Sequence, residues 1–292
     1  MDDFLERAWR LVLRREPDPE AAERLARGDV SRARLLRELV ESSEFERIEL
    51  LDDGLARAKA ERARRGRPRD LRAPAWSDER AIEIPWILSR YDGERRVLDV
   101  GTANAVAAYV EGLSDLRAPE LVTVDLAEPA DVIADVRRMP FPDDRFDLVF
   151  CVSTLEHVGG DNAVYGVDAA RGENGHAAAL RELHRVLAPG GRLLLSVPTG
   201  EREDHGWHLQ RAPLEWVELF ERGGFVVFED ELYVLADDGW RTATLVEAEA
   251  AHYGDCAGAV IVAELRPARL RERMRLAVRD ARTDEPRRST LG

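Results

Sequence analysis

The chain has few cysteines, a single lysine and no long hydrophobic run. Two cysteines among 292 residues cannot supply a disulfide framework, and they fit a reducing compartment. Lysine occurs only at Lys59, and we attribute the predominance of arginine among the 43 basic residues to a coding preference. No stretch of about 18 apolar residues is present, and the acidic start Met1-Asp2-Asp3-Phe4 lacks the apolar centre of a secretory signal. We therefore expect a cytoplasmic protein without an integral membrane segment.

Several signatures of catalysis and of nucleic-acid binding are absent as well. The sequence has no Ser-His-Asp nucleophile elbow, no Cys-x-x-Cys spacing for a metal and no Gly-x-x-x-x-Gly-Lys loop for phosphate. The net charge is −14, and residues 76–265 carry 36 acidic but only 16 basic side chains. Because phosphate contacts supply much of the affinity for DNA and RNA, so acidic a region argues against a nucleic-acid partner.

The hydrophobic pattern divides the chain into four segments. Residues 1–65 carry apolar side chains at helical spacing, with Ser31 as an N-cap, and predict a small helical domain. Residues 66–75 form a basic linker that contains proline and glycine. Residues 76–266 alternate predicted strands with predicted helices, and residues 267–292 predict a basic C-terminal helix and tail.

The alternation of strands and helices in residues 76–266 predicts an α/β fold. Parallel strands joined by crossover helices produce this alternation. We therefore predict a Rossmann-like, doubly wound and mostly parallel seven-stranded sheet, preceded by the small all-α domain. The predicted strands are residues 96–100, 120–125, 131–134, 146–152, 192–197, 225–235 and 258–264.

One segment of this α/β region has the pattern of a nucleoside pocket. The apolar strand that begins at Arg96 ends in Asp99 and Gly101, and a turn of small residues follows it. About one βαβ unit later, a second apolar strand ends in Asp125. Glycine lets the backbone approach a ligand closely, and the second acid can accept hydrogen bonds from ribose hydroxyls. The pattern indicates a nucleoside cofactor without saying which one.

Three further segments carry a family resemblance. The sequence reads DVRRMPFPDDRFDLVFC over residues 135–151, STLEHV over 153–158 and LRELHRVLAPGG over 180–191. Together with the strand-glycine-acid pattern, these segments strongly resemble the class I S-adenosylmethionine-dependent methyltransferases of the type 11-like group. The resemblance spans residues 80–265, and it implies S-adenosylmethionine as the cofactor.

The resemblance also implies roles for individual residues in binding this cofactor. Asp125 matches the position that binds the ribose hydroxyls, Asp135 the position that binds the adenine amine, and Val136 the apolar side chain that covers the ring. Asp99 would attract the cationic methionine portion. The predicted cofactor-binding residues are Asp99, Gly101, Thr102, Ala103, Asp125, Leu126, Asp135, Val136 and Ser153.

Two histidines are candidates for acceptor chemistry, because removal of a proton from an alcohol suits a side chain that titrates near neutral pH. His157 follows the strand that faces the transferred methyl group in this fold, and His208 lies in a loop that borders the acceptor site. The pair Glu156-His157 could equally close the cofactor pocket. Some relatives bind a divalent metal through this pair and a carboxylate three residues earlier, where Ser153 stands here, so no metal is predicted. The predicted catalytic residues are His157 and His208, and the predicted acceptor-binding residues are Glu156, Tyr165, His205 and Arg211.

The N-terminal segment has a resemblance of its own. Residues 4–20 contain the run Arg15-Glu16-Pro17-Asp18-Pro19, and Ser31-Arg32 and residues 41–45 follow. They resemble a short helical domain of unknown function that accompanies glycosyltransferases and methyltransferases of bacterial surface-polysaccharide clusters. No chemistry comes with this domain. The enzymes that this domain accompanies imply a glycan-related acceptor, a role in polysaccharide biosynthesis and a protein partner bound through the domain.

The sequence therefore predicts an S-adenosylmethionine-dependent methyltransferase that methylates an oxygen of a small-molecule or glycan acceptor. Two alternatives stay open. A non-catalytic methyltransferase-like protein could use the same pocket for binding or assembly. An NAD(P)-dependent oxidoreductase shares the strand-glycine-acid pattern, although residues 101–105 lack the full Gly-x-Gly-x-x-Gly and no Tyr-x-x-x-Lys relay is present.

Overall fold

A computed structural model describes residues 3–102, 105–127, 129–161, 163 and 175–268. The helices are α1 (Asp3–Val12), α2 (Pro19–Ala26), α3 (Arg32–Val40), α4 (Ser43–Ala63), α5 (Arg80–Ser89), α6 (Ala107–Asp115), α7 (Gly175–Val186), α8 (Pro213–Arg222) and α9 (Leu245–Glu249). The strands are β1 (Arg96–Val100), β2 (Glu120–Asp125), β3 (Val132–Ile133), β4 (Phe146–Val152), β5 (Leu187–Pro198), β6 (Glu203–Asp204), β7 (Leu209–Gln210), β8 (Phe225–Ala236), β9 (Gly239–Thr242) and β10 (Ala259–Pro267). A 3-10 turn spans Leu155–His157.

One sheet organises the chain from residue 96 onward. Its eight strands lie in the order β3-β2-β1-β4-β5-β10-β8-β9. The first five are parallel, whereas β10 is antiparallel to β5 and β8, and β8 is antiparallel to β9. The prediction of a seven-stranded sheet is therefore wrong by one strand. The added strand, β9, is only four residues long and pairs with β8 through a tight hairpin, so it contributes no separate apolar run.

Both faces of the sheet are covered, which explains the nearly continuous apolar runs of its central strands. On one face, Leu98 and Val149 pack in a cluster that includes residues of α7 and α8. On the other face, Val97 and Phe150 pack against α5 and α6. The parallel strands β1, β2 and β4 end at the same edge of the sheet, where open α/β folds bind their ligands.

Helices α1–α4 precede the sheet. The buried apolar residues of α1–α3, Trp9 and Leu35 among them, form a cluster separate from the two clusters of the sheet, whereas Ala58 of α4 belongs to one of the sheet clusters. The second half of α4 packs on α5, where a Cβ added to Gly54 would lie 2.8 Å from Cγ of Pro85. The separation of residues 1–65 as an independent domain stays a prediction.

The predicted basic linker, residues 66–75, is held to the sheet by ion pairs. Arg67 donates to Glu264 of β10 at 2.8 Å, and Arg69 donates to Glu231 of β8 at 2.8 Å. Both carboxylates are buried. The positive charge of this segment therefore offsets buried negative charge, which would be costly without a partner.

Two segments lie largely outside the described residues, namely the loop 159–175, which contains the predicted acceptor residue Tyr165, and the predicted C-terminal helix and tail. Of the loop 159–175, only residues 159–161, 163 and 175 are described, and of the C-terminal segment only 267 and 268. Within the described ranges, no helix combines the length and the apolar character that a bilayer crossing requires.

Candidate active site

A cavity of about 300 Å³ opens where β1, β2 and β4 end. Its volume lies at the lower end of the range for small-molecule sites, and its place in the fold is the usual one for α/β sheets. Its walls come from the strand ends, from α5 and α6, and from the 3-10 turn. The residues that line it include Arg80, Ile84, Gly101, Tyr109, Asp125, Leu126, Asp135, Val136, Arg137, Ser153, Thr154 and His157.

The turn after β1 needs glycine for two separate reasons. Gly101 has φ +93°, a backbone conformation that side chains with a Cβ rarely adopt. A Cβ at this position would also lie 2.0 Å from Oγ1 of Thr154, at the end of β4. Thr154 is itself fixed, because its hydroxyl donates to the backbone oxygen of Val152 at 2.8 Å and lies 3.2 Å from that of Val100. At Gly101 the cavity floor is therefore backbone without a side chain.

Four predicted cofactor residues lie together on the wall beside β2 and β3: Asp125, Leu126, Asp135 and Val136. Arg137 donates to both carboxylate oxygens of Asp135, at 2.9 and 2.5 Å. Burial works against ionisation of Asp135, but these hydrogen bonds hold its pKa below the usual value. Asp135 is therefore an ionised acid whose orientation is set by Arg137.

Asp99 and Thr102 lie behind the cavity wall. Asp99 is buried, and it accepts hydrogen bonds of 2.5 Å from Oγ1 of Thr102 and from the hydroxyl of Tyr109. Burial raises the pKa of Asp99 to about 6, in opposition to these two bonds. This arrangement differs from the predicted contact between Asp99 and a cofactor. Both of its carboxylate oxygens hold protein groups, and one of those groups is the cavity-lining Tyr109.

Ser153 lines the cavity in a strained conformation. Its φ of +41° is unusual for a residue other than glycine, and such strain is concentrated at functional sites. Its backbone N–H donates to Ser196 of β5, and its Oγ donates to Glu83 of α5 at 2.7 Å. Ser153 is therefore fixed by two elements that are distant in sequence.

Glu83 belongs to a group of buried carboxyls beneath the cavity. Burial, with the nearby charge of Glu79, raises the pKa of Glu83 to about 7. Burial also raises the pKa of Glu156 well above its usual value. Arg80 supplies compensating positive charge, and its guanidinium donates to Glu79 at 2.6 Å. Glu156, a predicted acceptor-binding residue, is thus a buried group that does not itself line the cavity.

His157 reaches the cavity from the 3-10 turn. Its Nδ1 lies 3.1 Å from the backbone oxygen of Trp207, and its ring stacks on the Trp207 indole at a centroid distance of 5.1 Å. A proton on Nδ1 makes that hydrogen bond, and this tautomer puts the basic lone pair on Nε2. Burial lowers the pKa of His157 to about 4 although the bond to Trp207 opposes it. The imidazole is therefore neutral at pH 7.

The second predicted catalytic histidine lies behind the first. His208 is buried, and its ring packs against those of His205, Trp207 and Tyr253 at centroid distances of 4.5, 4.1 and 4.3 Å. In the described part of the chain, neither of its ring nitrogens has a hydrogen-bond partner. Its centroid is 6.0 Å from that of His157. His208 therefore supports the wall behind His157 and does not line the cavity.

The remaining predicted acceptor residues are not brought to the cavity wall among the described residues. Arg211 donates to Nδ1 of His176 at 3.4 Å. The imidazole of His205 lies 2.9 Å from a carboxylate oxygen of Glu203. Tyr165 and Ala103 lie outside the described residues.

Sequence reasoning missed Arg80, Ile84 and Tyr109, which line the cavity from α5 and α6. A signal was present in α5. This helix is buried from Ala81 to Ser89, and Glu83 stands in the middle of it. An acidic residue in an otherwise apolar, buried stretch of helix indicates a specific partner, because an unpaired charge is costly to bury.

Replacement of Glu83 by glutamine should change how stability depends on pH. A carboxyl with a pKa of about 7 in the folded state and about 4.5 in the unfolded state favours folding below pH 4.5 and loses this contribution as the pH rises through 7. Glutamine cannot titrate. Relative to the wild type, Glu83→Gln should therefore gain about 2 kcal/mol of unfolding free energy between pH 5 and pH 8, measured by urea denaturation. The exposed Glu218→Gln is the control. If the difference in unfolding free energy between Glu83→Gln and the wild type were the same at pH 5 and at pH 8, burial would not raise the pKa of Glu83.

The cavity residues fit S-adenosylmethionine. The carboxylate of Asp125 can accept hydrogen bonds from two ribose hydroxyls, and Leu126 and Val136 offer apolar contacts to a flat ring. Gly101 leaves backbone at the cavity floor, where a side chain would collide with Thr154.

Comparison with known proteins finds a domain family that matches part of the chain. Residues 98–195 match the family described as methyltransferase domain. A curated relative, an uncharacterized protein of Methanocaldococcus jannaschii, is 28% identical over 165 residues. That match covers 52% of this chain and 66% of the relative, just under two thirds of its length.

Two solved structures illustrate the likeness in fold. The 1,6-didemethyltoxoflavin-N1-methyltransferase of Burkholderia thailandensis, with S-adenosylhomocysteine bound, is 14% identical with a TM-score of 0.42, and the match covers 87% of this chain and 92% of that one. A SAM-dependent methyltransferase of Methanosarcina mazei is 12% identical with a TM-score of 0.42, over 61% of this chain and 94% of that one.

The domain match confirms, for residues 98–195, the predictions of an enzyme of the methyltransferase class and of its cofactor. It covers the two strand ends that carry Gly101 and Asp125, and it includes His157. Residues 98–195 therefore match a methyltransferase domain, and the residues that line the cavity fit S-adenosylmethionine as its cofactor.

Proposed function

We propose that the protein transfers a methyl group from S-adenosylmethionine to a hydroxyl oxygen of a small-molecule or glycan acceptor. The observation that carries this proposal is the position of His157. This neutral imidazole lines the same cavity as Gly101 and Asp125, and its tautomer is set by the backbone oxygen of Trp207. A base oriented in this way suits an acceptor that must lose a proton.

The residues of the chain supply orientation, a proton acceptor and a dry site. When bound, S-adenosylmethionine supplies an electrophilic methyl group. Asp125 and Asp135 hold the nucleoside end, and Ile84 and Val136 keep water from the cavity walls. His157 accepts the proton of the acceptor hydroxyl at Nε2, while its Nδ1–H stays bonded to the carbonyl of Trp207. Burial lowers the pKa of His157 to about 4, so the ring is in its base form throughout the neutral range, but it is a weaker base than the near-neutral histidine that the sequence predicts. The ring releases the proton to solvent afterwards.

The glycan class of acceptor depends on the N-terminal segment. Residues 1–65 resemble a helical domain that accompanies enzymes of surface-polysaccharide clusters, and this resemblance supports a glycan-related acceptor and a protein partner bound through α1–α4. The acidic character of residues 76–265 supports an uncharged or cationic acceptor over a nucleic acid.

The test is transfer of a labelled methyl group from S-adenosylmethionine to a panel of hydroxyl compounds, amino sugars, amines and thiols. The proposal expects product with hydroxyl-bearing acceptors, and mass spectrometry of the product should place the methyl group on oxygen. Methylation confined to nitrogen or sulfur would contradict it. A single-stranded RNA in the same panel tests the exclusion of nucleic acid.

A further inference from the structure

One cationic side chain that lines the cavity has no part in the binding and catalytic roles proposed above. Among the described residues that line it, the charged side chains are Arg80, Asp125, Asp135 and Arg137. Asp135 and Arg137 form an ion pair with each other, and Asp125 is placed to accept ribose hydroxyls. Arg80 is the remaining charged group.

The amino-acid end of the cofactor requires a partner as well. This end carries a carboxylate and an ammonium, which are costly to bring into a cavity without opposite charges. Asp99 is the residue that the sequence predicts there, but both of its oxygens accept hydrogen bonds from Thr102 and Tyr109 inside the protein. An acid such as Asp99 would in any case pair with the ammonium, so the carboxylate of this end still requires a cation.

We infer that Arg80 binds the carboxylate of the methionine portion of S-adenosylmethionine. The inference rests on the proposed function, because it requires this cofactor in the cavity. Arg80 begins α5 and lines the cavity together with Ile84, one turn further along the same helix.

The location of Arg80 agrees with the connectivity of the cofactor. In S-adenosylmethionine the methyl-bearing sulfur joins the nucleoside to the amino-acid end, so the amino-acid end lies close to the site of transfer. Arg80 is close enough to His157 for its charge to disfavour protonation of that imidazole. It also lies within electrostatic range of Glu83, which holds Ser153. Arg80 is thus located at the end of the cavity where transfer is proposed.

The guanidinium of Arg80 has the capacity to bind a second carboxylate. It has five N–H donors, and Glu79 accepts from one terminal nitrogen at 2.6 Å. Its side chain is 34% exposed, although the carboxyls around it are buried. Burial lowers the pKa of Arg80, but the neighbouring carboxylates more than compensate and raise it, so the group stays cationic. A guanidinium and a carboxylate can form two parallel, charge-assisted hydrogen bonds.

The test is a thermodynamic cycle of four binding affinities, in which the protein is with or without the Arg80 side chain and the ligand is with or without its carboxylate. The probes are S-adenosylhomocysteine and its decarboxylated analogue, which keeps the amine, and their affinities are measured by calorimetry. The wild type should bind S-adenosylhomocysteine about 10- to 100-fold more tightly than the analogue, as expected for a charge-assisted pair. In Arg80→Ala this preference should fall to nearly one, because the two losses concern the same interaction.

Two further variants keep the result interpretable. Arg80→Lys retains the charge that Glu79 and Glu83 need for folding but cannot bind in two parallel bonds, so its preference should be intermediate. Arg137→Ala removes a cation from the nucleoside wall and should weaken both ligands by the same factor. An unchanged preference in Arg80→Ala and Arg80→Lys would overturn the inference, and so would a wild type that does not distinguish the two ligands. Binding of neither ligand by the wild type would instead overturn the cofactor assignment on which the inference depends. A carboxylate supplied by the acceptor, the other source of this chemistry, would leave the ligand preference unaffected by Arg80.

Discussion

Replacement of His157 by alanine is expected to lower the rate of methyl transfer about 10²- to 10⁴-fold, the usual contribution of a positioned general base. Affinity for S-adenosylhomocysteine should change much less, because the nucleoside contacts come from the wall that carries Asp125 and Asp135. Labelled methyl transfer measures the first quantity and calorimetry the second. The pH profile adds a further check. Since the pKa of His157 is about 4, this group should produce no loss of rate between pH 8 and about pH 5.

His252→Ala is the matched control for this variant. His252 is exposed and lies 2.6 Å from a carboxylate oxygen of Glu203, so its loss should leave the rate within about twofold. If His157→Ala instead retained the wild-type rate, another residue would have to accept the proton. Equal losses of rate and of cofactor affinity would indicate that His157 only closes the cofactor pocket, which is the alternative role of the Glu156-His157 pair.

Replacement of Gly101 by alanine is expected to weaken binding of S-adenosylhomocysteine by at least about 100-fold. The new Cβ would lie 2.0 Å from Oγ1 and 2.8 Å from Cβ of Thr154, so the turn or the end of β4 must move. The conformation at φ +93° adds a strain of about 1–3 kcal/mol. Calorimetric titration measures the loss of affinity, and thermal unfolding measures the loss of stability.

Gly93 offers a control with almost the same backbone conformation. Its φ is +94°, but nothing lies within 4 Å of a Cβ added there. Gly93→Ala should therefore lower stability through strain alone and leave cofactor affinity unchanged. If the two variants lost affinity equally, the effect would not arise at the cavity floor. The double variant Gly101→Ala/Thr154→Gly should recover part of the lost affinity, because it removes the collision and leaves the strain.

The parts of the fold that depend on local sequence were predictable. Gly101 directly follows β1 and Asp125 ends β2, so the parallel pairing of these strands brings both residues to one edge. β9 was missed because four residues in a hairpin carry little periodic signal. Its two-residue turn, Asp237-Asp238, is followed by Gly239, and this cluster of turn residues is a signal that could have revealed it.

The contacts that depend on long-range packing were not predictable from the sequence pattern. Glu83 and Ser153 are 70 positions apart, and only the packing of α5 on β4 and β5 brings them within 2.7 Å. The burial of His208 among three rings likewise results from the chain fold around residues 203–210 and 253. Nor does the sequence reveal that the hydroxyl of Tyr109, on α6, donates to Asp99.

The most direct measurement is calorimetric titration of the purified protein with S-adenosylmethionine, S-adenosylhomocysteine and NADH, repeated with Asp125→Asn. Binding of the first two ligands with about micromolar affinity is expected, with no binding of NADH. Asp125→Asn should weaken the two nucleosides about 10- to 100-fold, because it loses charge-assisted hydrogen bonds to the ribose. Absence of binding by both sulfur nucleosides would contradict the central claim that this cavity is the cofactor site of a methyltransferase, and binding of NADH alone would indicate an oxidoreductase.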